Sequence, residues 1–151
     1  MNEKLIAQNR KAYHDYFIEE TFQAGISLAG TEVKSLRASR CNVKESFVVI
    51  EYGGAFIEGM HISPYEHGNI FNKDPVRRRR LLLHKQEINK LRAAVTREGY
   101  TIVPLRVYFY GSRVKVDIAL SKGKKIYDKR ESIAKKTQYR DAEKEFRVKM
   151  R

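Results

Sequence analysis

Apolar and polar positions alternate over Val114–Leu120: Val114, Val116, Ile118 and Leu120 are separated by Lys115, Asp117 and Ala119. A period of two predicts a half-buried strand. It pairs with Tyr100–Tyr110 around Gly111-Ser112-Arg113 as a hairpin, and Pro104 implies an edge position or a bulge in the first arm. A second hairpin is predicted from Ser46–Glu51 and Ala55–Met60, which flank Tyr52-Gly53-Gly54, two glycines supplying the positive φ angles of a tight turn. Earlier, Tyr16–Phe22 and Ile26–Leu28 read as strand, with Gly25 as a bulge or sharp bend. Two stretches have a helical period instead. A short helix covers 31–38, with Thr31 as cap and Glu32 in its first turn. A longer one covers 75–98, with Asp74 as cap, Pro75 in the first position and Gly99 as a left-handed stop. Its inward stripe is Leu81, His84, Ile88, Leu91 and Val95, whereas Leu82 projects among Arg78, Lys85, Gln86 and Asn89. Residues 1–11 are expected to be loose, and His61–Lys73 to form a loop.

Five or six short strands with a helix between the hairpins predict a mainly β protein, an OB-like closed antiparallel β-barrel of about six strands with helices on its openings. One such domain fits 151 residues. Charge changes the picture at the end. The chain carries 31 Lys/Arg against 18 Asp/Glu, a net +13, and residues 121–151 hold 12 of the bases with only 5 acids. A boundary is therefore expected near 122, with a barrel over 1–122 and a basic tail over 123–151. Tyr139, Ala142, Phe146 and Met150 trace a narrow helical stripe in that tail, too little apolar surface to order about 25 residues at roughly 1–2 kcal/mol each. The tail is expected to be disordered alone and helical when bound.

So cationic a chain suits a polyanion, nucleic acid ahead of an anionic membrane. Neither a spanning segment nor a signal-peptide pattern is legible, and a cytosolic protein is expected. Cys41 is alone, which rules out an intrachain disulfide or cysteine metal cage. His14, His61, His67 and His84 lack metal-ligand spacing; Glu19-Glu20 and Asp141/Glu143 are poorly placed as acid and base; there is no phosphate-binding glycine loop. No enzyme, metal or cofactor is predicted. The arginine run 77–80 with the stranded Leu82 is the leading candidate surface. Lys34 and Arg37 share a helix face that is either scaffold or phosphate contact, and Tyr108 and Tyr110 either cover a sheet or stack on bases.

Several segments together resemble the bacterial SsrA-binding (small protein B) family: Ile6–Ala12, Phe17–Glu20, Gly30–Arg37, His61–Tyr65, Asp74-Pro75 with Arg77 and Leu81–Leu83, and Gly123–Lys125 with Asp128–Arg130. The resemblance runs in order over residues 6–131. It implies an OB-like barrel that binds transfer-messenger RNA and brings it to ribosomes stalled without a stop codon, in trans-translation. The implied partners are that RNA, the ribosome through the rRNA of its decoding region and its mRNA channel, and indirectly elongation factor Tu through the charged RNA. The family's RNA-binding positions fall on Asn9, Gln23 and Leu82; Gln23 stands where the family often has Glu, exchanging an acceptor for a possible donor. With them as RNA-contact candidates go Lys34, Arg37, Arg78 and Lys85. The ribosome-facing candidates are Gly123, Lys124, Lys125, Tyr127, Asp128, Lys129 and Arg130, with Tyr127 where many members have His. The alternatives are an OB-like ribosomal protein or general translation factor and, more remotely, an RNA-processing enzyme.

Overall fold

The computed structural model describes residues 2–66 and 72–124. In chain order they form β1 (Glu3–Gln8), α1 (Arg10–Asp15), β2 (Tyr16–Ile26), α2 (Gly30–Arg37), β3 (Cys41–Asn42), β4 (Phe47–Glu51), β5 (Gly54–Glu58), β6 (His61–Ile62), β7 (Arg79–Leu82), α3 (Lys85–Glu98), β8 (Thr101–Tyr110) and β9 (Arg113–Gly123). The protein is mainly β with a few helices. Antiparallel pairing runs β8-β4-β5-β7-β2-β9 and returns from β9 to β8, so the sheet closes as a ring, with β1 added alongside β8. β3 and β6 form a separate two-stranded ribbon.

Alternation decides what the ring encloses. Val116 and Ile118 on β9, Ala24 on β2, Ala55 and Ile57 on β5, and Leu81 on β7 point inward and are sealed from solvent. α3 adds Leu91, α2 adds Leu36, and both belong to the same core. β8 is buried on both faces because α1 lays Ala12 over the outer side of its Val103 and Leu105, together with Ala119 of the neighbouring β9. Pro104 sits in this strand, and the pairing of β8 with β9 slips between Pro104 and Arg106, the expected bulge.

Several readings of local structure need correction. The short helix starts at Gly30 with Ala29, not Thr31, at its cap position, and His61–Ile62, expected as loop, is strand. Residues 75–98 are not one helix. Asp74 does cap a turn, its Oδ1 accepting from the Val76 N–H at 2.9 Å, but the chain then becomes β7 and helix starts only at Lys85. His84 precedes that helix and is exposed rather than part of the inward stripe, and Glu87 accepts from its N–H at 3.0 Å. Val95, from the same stripe, is 37% exposed. At the far end Gly99 ends α3 with φ 70°, as its position predicts. Residues 3–8 are not loose but pair with β8, burying Ile6. β2 runs unbroken through Gly25; its irregularity lies between Ile18 and Glu20. Finally, the positive φ angles of the first hairpin belong to Tyr52 and Gly53, while Gly54 already pairs with Glu51.

Candidate nucleic-acid interface

The outward face opposite the core carries the candidate site. Cross-strand pairing sets one row across five strands: Leu82 on β7 faces Gly25 on β2, Gly25 faces Lys115 on β9, Lys115 faces Tyr108 on β8, and Tyr108 faces Leu5 on β1. Leu81 is buried, so its neighbour Leu82 must point out, and it is 55% exposed. Gly25 has no side chain to fill the space beside it; a Cβ there would lie 3.3 Å from the Leu82 Cβ. The result is an apolar rib, Leu82 seated on the Gly25 backbone, across from a lysine. The rib borders a groove of about 960 Å³ lined by Gln23, Arg80, Leu82, His84, Arg113 and Lys115, among others. An exposed leucine framed by cations offers a packing surface for a base or sugar and charge for the flanking phosphates.

A second row is polar. Gln23 Nε2 donates to the Tyr108 hydroxyl at 2.6 Å, that hydroxyl donates to Asp117 Oδ1 at 2.8 Å, and Arg106 Nε donates to the other carboxylate oxygen at 2.8 Å. Arg106 also reaches Glu3 at 2.9 Å and lies over the Tyr108 ring, 4.1 Å from its centre. Burial chiefly, with Asp117 beside it, holds the Tyr108 phenol above its usual pKa despite the donor from Gln23. Tyr108 is 1% exposed and cannot stack on a base; it anchors Gln23 instead.

The remaining candidates separate. Asn9 is 3% exposed, and its amide is consumed inside the protein: Oδ1 accepts from the Ala12 N–H at 3.2 Å, while Nδ2 donates to the carbonyls of Val43 at 3.2 Å and Pro104 at 3.0 Å. It lines a different cavity with Lys11 and Lys44. Both N–H donors of Asn9 and one lone pair of its oxygen are spent inside the fold, so the structure gives it a capping and tethering role where the resemblance implies an RNA contact. Arg78 is closed by Glu51 at 2.8 Å and by Glu58, contacts that push its guanidinium pKa up further. Lys85 is exposed at the first turn of α3. Lys34 lies over the Tyr65 ring at 5.3 Å, and Arg37 lines a cavity with Asn2, Lys4 and Phe109. Gly123 ends β9 opposite Tyr16; Lys124 Nζ donates to the Tyr13 carbonyl at 3.2 Å and lies over Phe17. Lys125, Tyr127, Asp128, Lys129 and Arg130 fall outside the described residues.

Sequence reasoning placed Arg80 beside Leu82 only as part of the 77–80 run, and missed Lys115 and Gly25 as members of the groove. Lys115 was legible as an outward position of an alternating strand, but only the pairing of β9 with β2 puts it across from Leu82. Cys41 is half-buried, and burial pushes its thiol up to about 12, so it is no thiolate nucleophile. Among the described residues no group of three His, Cys, Asp or Glu is placed to hold a metal ion, and no helix is long and apolar enough to cross a membrane.

Comparison with known proteins gives the family. The family model described as SmpB protein matches residues 6–148. The chain belongs to the SmpB family. It is 60% identical over 146 residues to the SsrA-binding protein of Lachnoclostridium phytofermentans, covering 97% of this chain and 95% of that one. To the SsrA-binding protein of Caldicellulosiruptor bescii it is 60% identical over 148 residues, covering 98% and 91%. To that of Clostridium tetani it is 54% identical, covering 98% and 95%. A solved chain from a study of tmRNA–SmpB in the bacterial ribosome is 48% identical and superposes with a TM-score of 0.66, covering 78% of this chain and 83% of that one.

Proposed function

We propose that this protein binds transfer-messenger RNA through the Leu82–Gly25–Lys115 groove and brings it to stalled ribosomes for trans-translation. In this reading the closed sheet is an OB-like barrel, and the outer face of β7, β2 and β9 is its RNA face. The observation that carries it is Leu82, more than half exposed on a strand whose neighbour Leu81 is buried, seated on the bare backbone of Gly25 and bordering a groove with Arg80, Arg113 and Lys115. A soluble domain gains nothing from that leucine; a shaped RNA with a splayed base does. Gln23, fixed from behind by Tyr108, directs its remaining amide capacity to the same surface.

The basic segment from Gly123 onward supplies the ribosome contact and occupies the mRNA channel, reporting that no message is present. The protein contributes binding and positioning, not a chemical step, and works in the cytoplasm where ribosomes are. Titration of transfer-messenger RNA and of bulk tRNA at matched salt tests the reading, with Leu82→Ala as the variant. The wild type is expected to favour transfer-messenger RNA. The variant should lose about tenfold in affinity, near 1.4 kcal/mol, with an unchanged melting temperature. Equal affinity of the two RNAs would point to a general ribosomal protein or translation factor.

A further inference from the structure

We propose that the turn joining β4 and β5 is a second contact for the same transfer-messenger RNA, with Tyr52 stacking on an unpaired base and Arg80 meeting the phosphate beside it. This rests on the RNA-binding reading above. The turn has two residues at its tip, Tyr52 at φ 51° and Gly53 at φ 73°, as a type I′ turn requires. Glycine, asparagine and aspartate suit the first of these positions, and a bulky aromatic ring is an unfavourable choice there. Nothing in the fold compensates for it. Tyr52 is 98% exposed and makes no hydrogen bond or ring contact with any described residue. An aromatic side chain held out on a rigid turn at a strained backbone position is a stacking platform waiting for a partner.

The charge beside it is arranged to match. Gly54 follows the turn, and a Cβ there would lie 3.3 Å from Arg80 Nη2 and from the edge of the Phe56 ring. The missing side chain lets the Arg80 guanidinium lie across to the turn, over Phe56 at 5.8 Å. Arg78 bridges Glu51 and Glu58, the acids nearest the tip, and offsets one of their two negative charges. Arg80 forms no ion pair with a described carboxylate, and it also lines the groove beside Leu82. One free cation therefore joins the groove to the tip, which commits the tip to the RNA held in the groove rather than to ribosomal RNA.

The test uses the full chain with Tyr52→Asn and Tyr52→Phe, measuring transfer-messenger RNA affinity at fixed salt, melting temperature, and tagging of stalled ribosomes. Asparagine suits the turn better than tyrosine, so Tyr52→Asn should raise the melting temperature while weakening RNA affinity about tenfold, the scale of one lost stacked base. Tyr52→Phe should keep wild-type affinity. Wild-type affinity in Tyr52→Asn overturns the proposal, as does a tagging defect with RNA affinity intact, which would assign the tip to the ribosome. Leu82→Ala measured alongside separates the two readings: loss there with none in Tyr52→Asn removes the tip alone, whereas no loss in either removes the groove as well.

Discussion

The most consequential single side chain in the fold is Arg79. It is fully buried, its Nε donates to Glu32 at 2.7 Å, and its other nitrogens donate to the carbonyls of Met60, Arg77 and Pro75. A guanidinium so enclosed is tolerable only because each of its three nitrogens has a partner and one of them is a carboxylate. Glu32 is the counter-charge, also held by Arg77 at 2.6 Å and by the Ala29 N–H at 2.9 Å. Burial pushes the Glu32 carboxyl up, but Arg77, the Ala29 N–H and Arg79 together outweigh it and hold the pKa below the ordinary value. A depressed carboxylate pKa gives stability that is complete above the unfolded-state value, near 4.3, and lost as pH falls through the folded one. The melting temperature should therefore decline below about pH 4.5, with Glu32 among the carboxylates responsible. Glu32→Gln leaves Arg79 buried without its counter-charge and should cost about 3–5 kcal/mol in denaturant unfolding at pH 7. It should also flatten the acid decline. The same pair explains why residues 77–80 resist reading from sequence: four consecutive arginines show no alternation, and nothing in their identity says that the third is the one buried.

Among the elements, those built on regular alternation were legible. β9 and the β4–β5 hairpin follow their patterns, and the short helix α2 falls within a residue of its expected position. β1 was not legible, because it adds to the outside of the ring and buries only Ile6 while exposing Leu5 by half. Nor was the start of α3, where an Asp-Pro cap serves an isolated turn ten residues before the helix it resembles the start of. Asn9 was found by resemblance, but its role became visible only with α1 in place, where it caps the helix and ties it to Val43 and Pro104. Asn9→Ala is accordingly expected to lower unfolding free energy by about 2–3 kcal/mol through the lost cap and two unpaired carbonyls. The variant's folded fraction should bind RNA at close to wild-type affinity. A direct contact would show the reverse, lost affinity in a stable protein. Gly25 makes the opposite prediction for β2. Gly25→Val raises strand propensity but pushes the Leu82 side chain off its seat, so RNA affinity should fall about tenfold while stability falls far less.

At the scale of the whole molecule the proposed function divides the chain's charge between two tasks, and salt dependence can test that division. Residues 1–120 hold 19 Lys/Arg and 13 Asp/Glu, and 121–151 hold 12 and 5. Every strand of the ring is complete by Gly123, so a chain ending at Lys124 keeps the core, the groove and the hairpin tip. Each phosphate contact contributes about 0.9 to the slope of log affinity against log salt for a duplex RNA-like partner, and about 0.7 for single strands. If the groove alone grips transfer-messenger RNA, the truncated chain should show the same slope and nearly the same affinity as the full one, yet fail to support tagging on stalled ribosomes. If the basic segment also holds that RNA, truncation should lower the slope by several units, because so dense a run of cations cannot lie on phosphate without releasing counterions. Matched slopes with tagging lost would place the two tasks on two separate parts of the chain; a reduced slope would merge them.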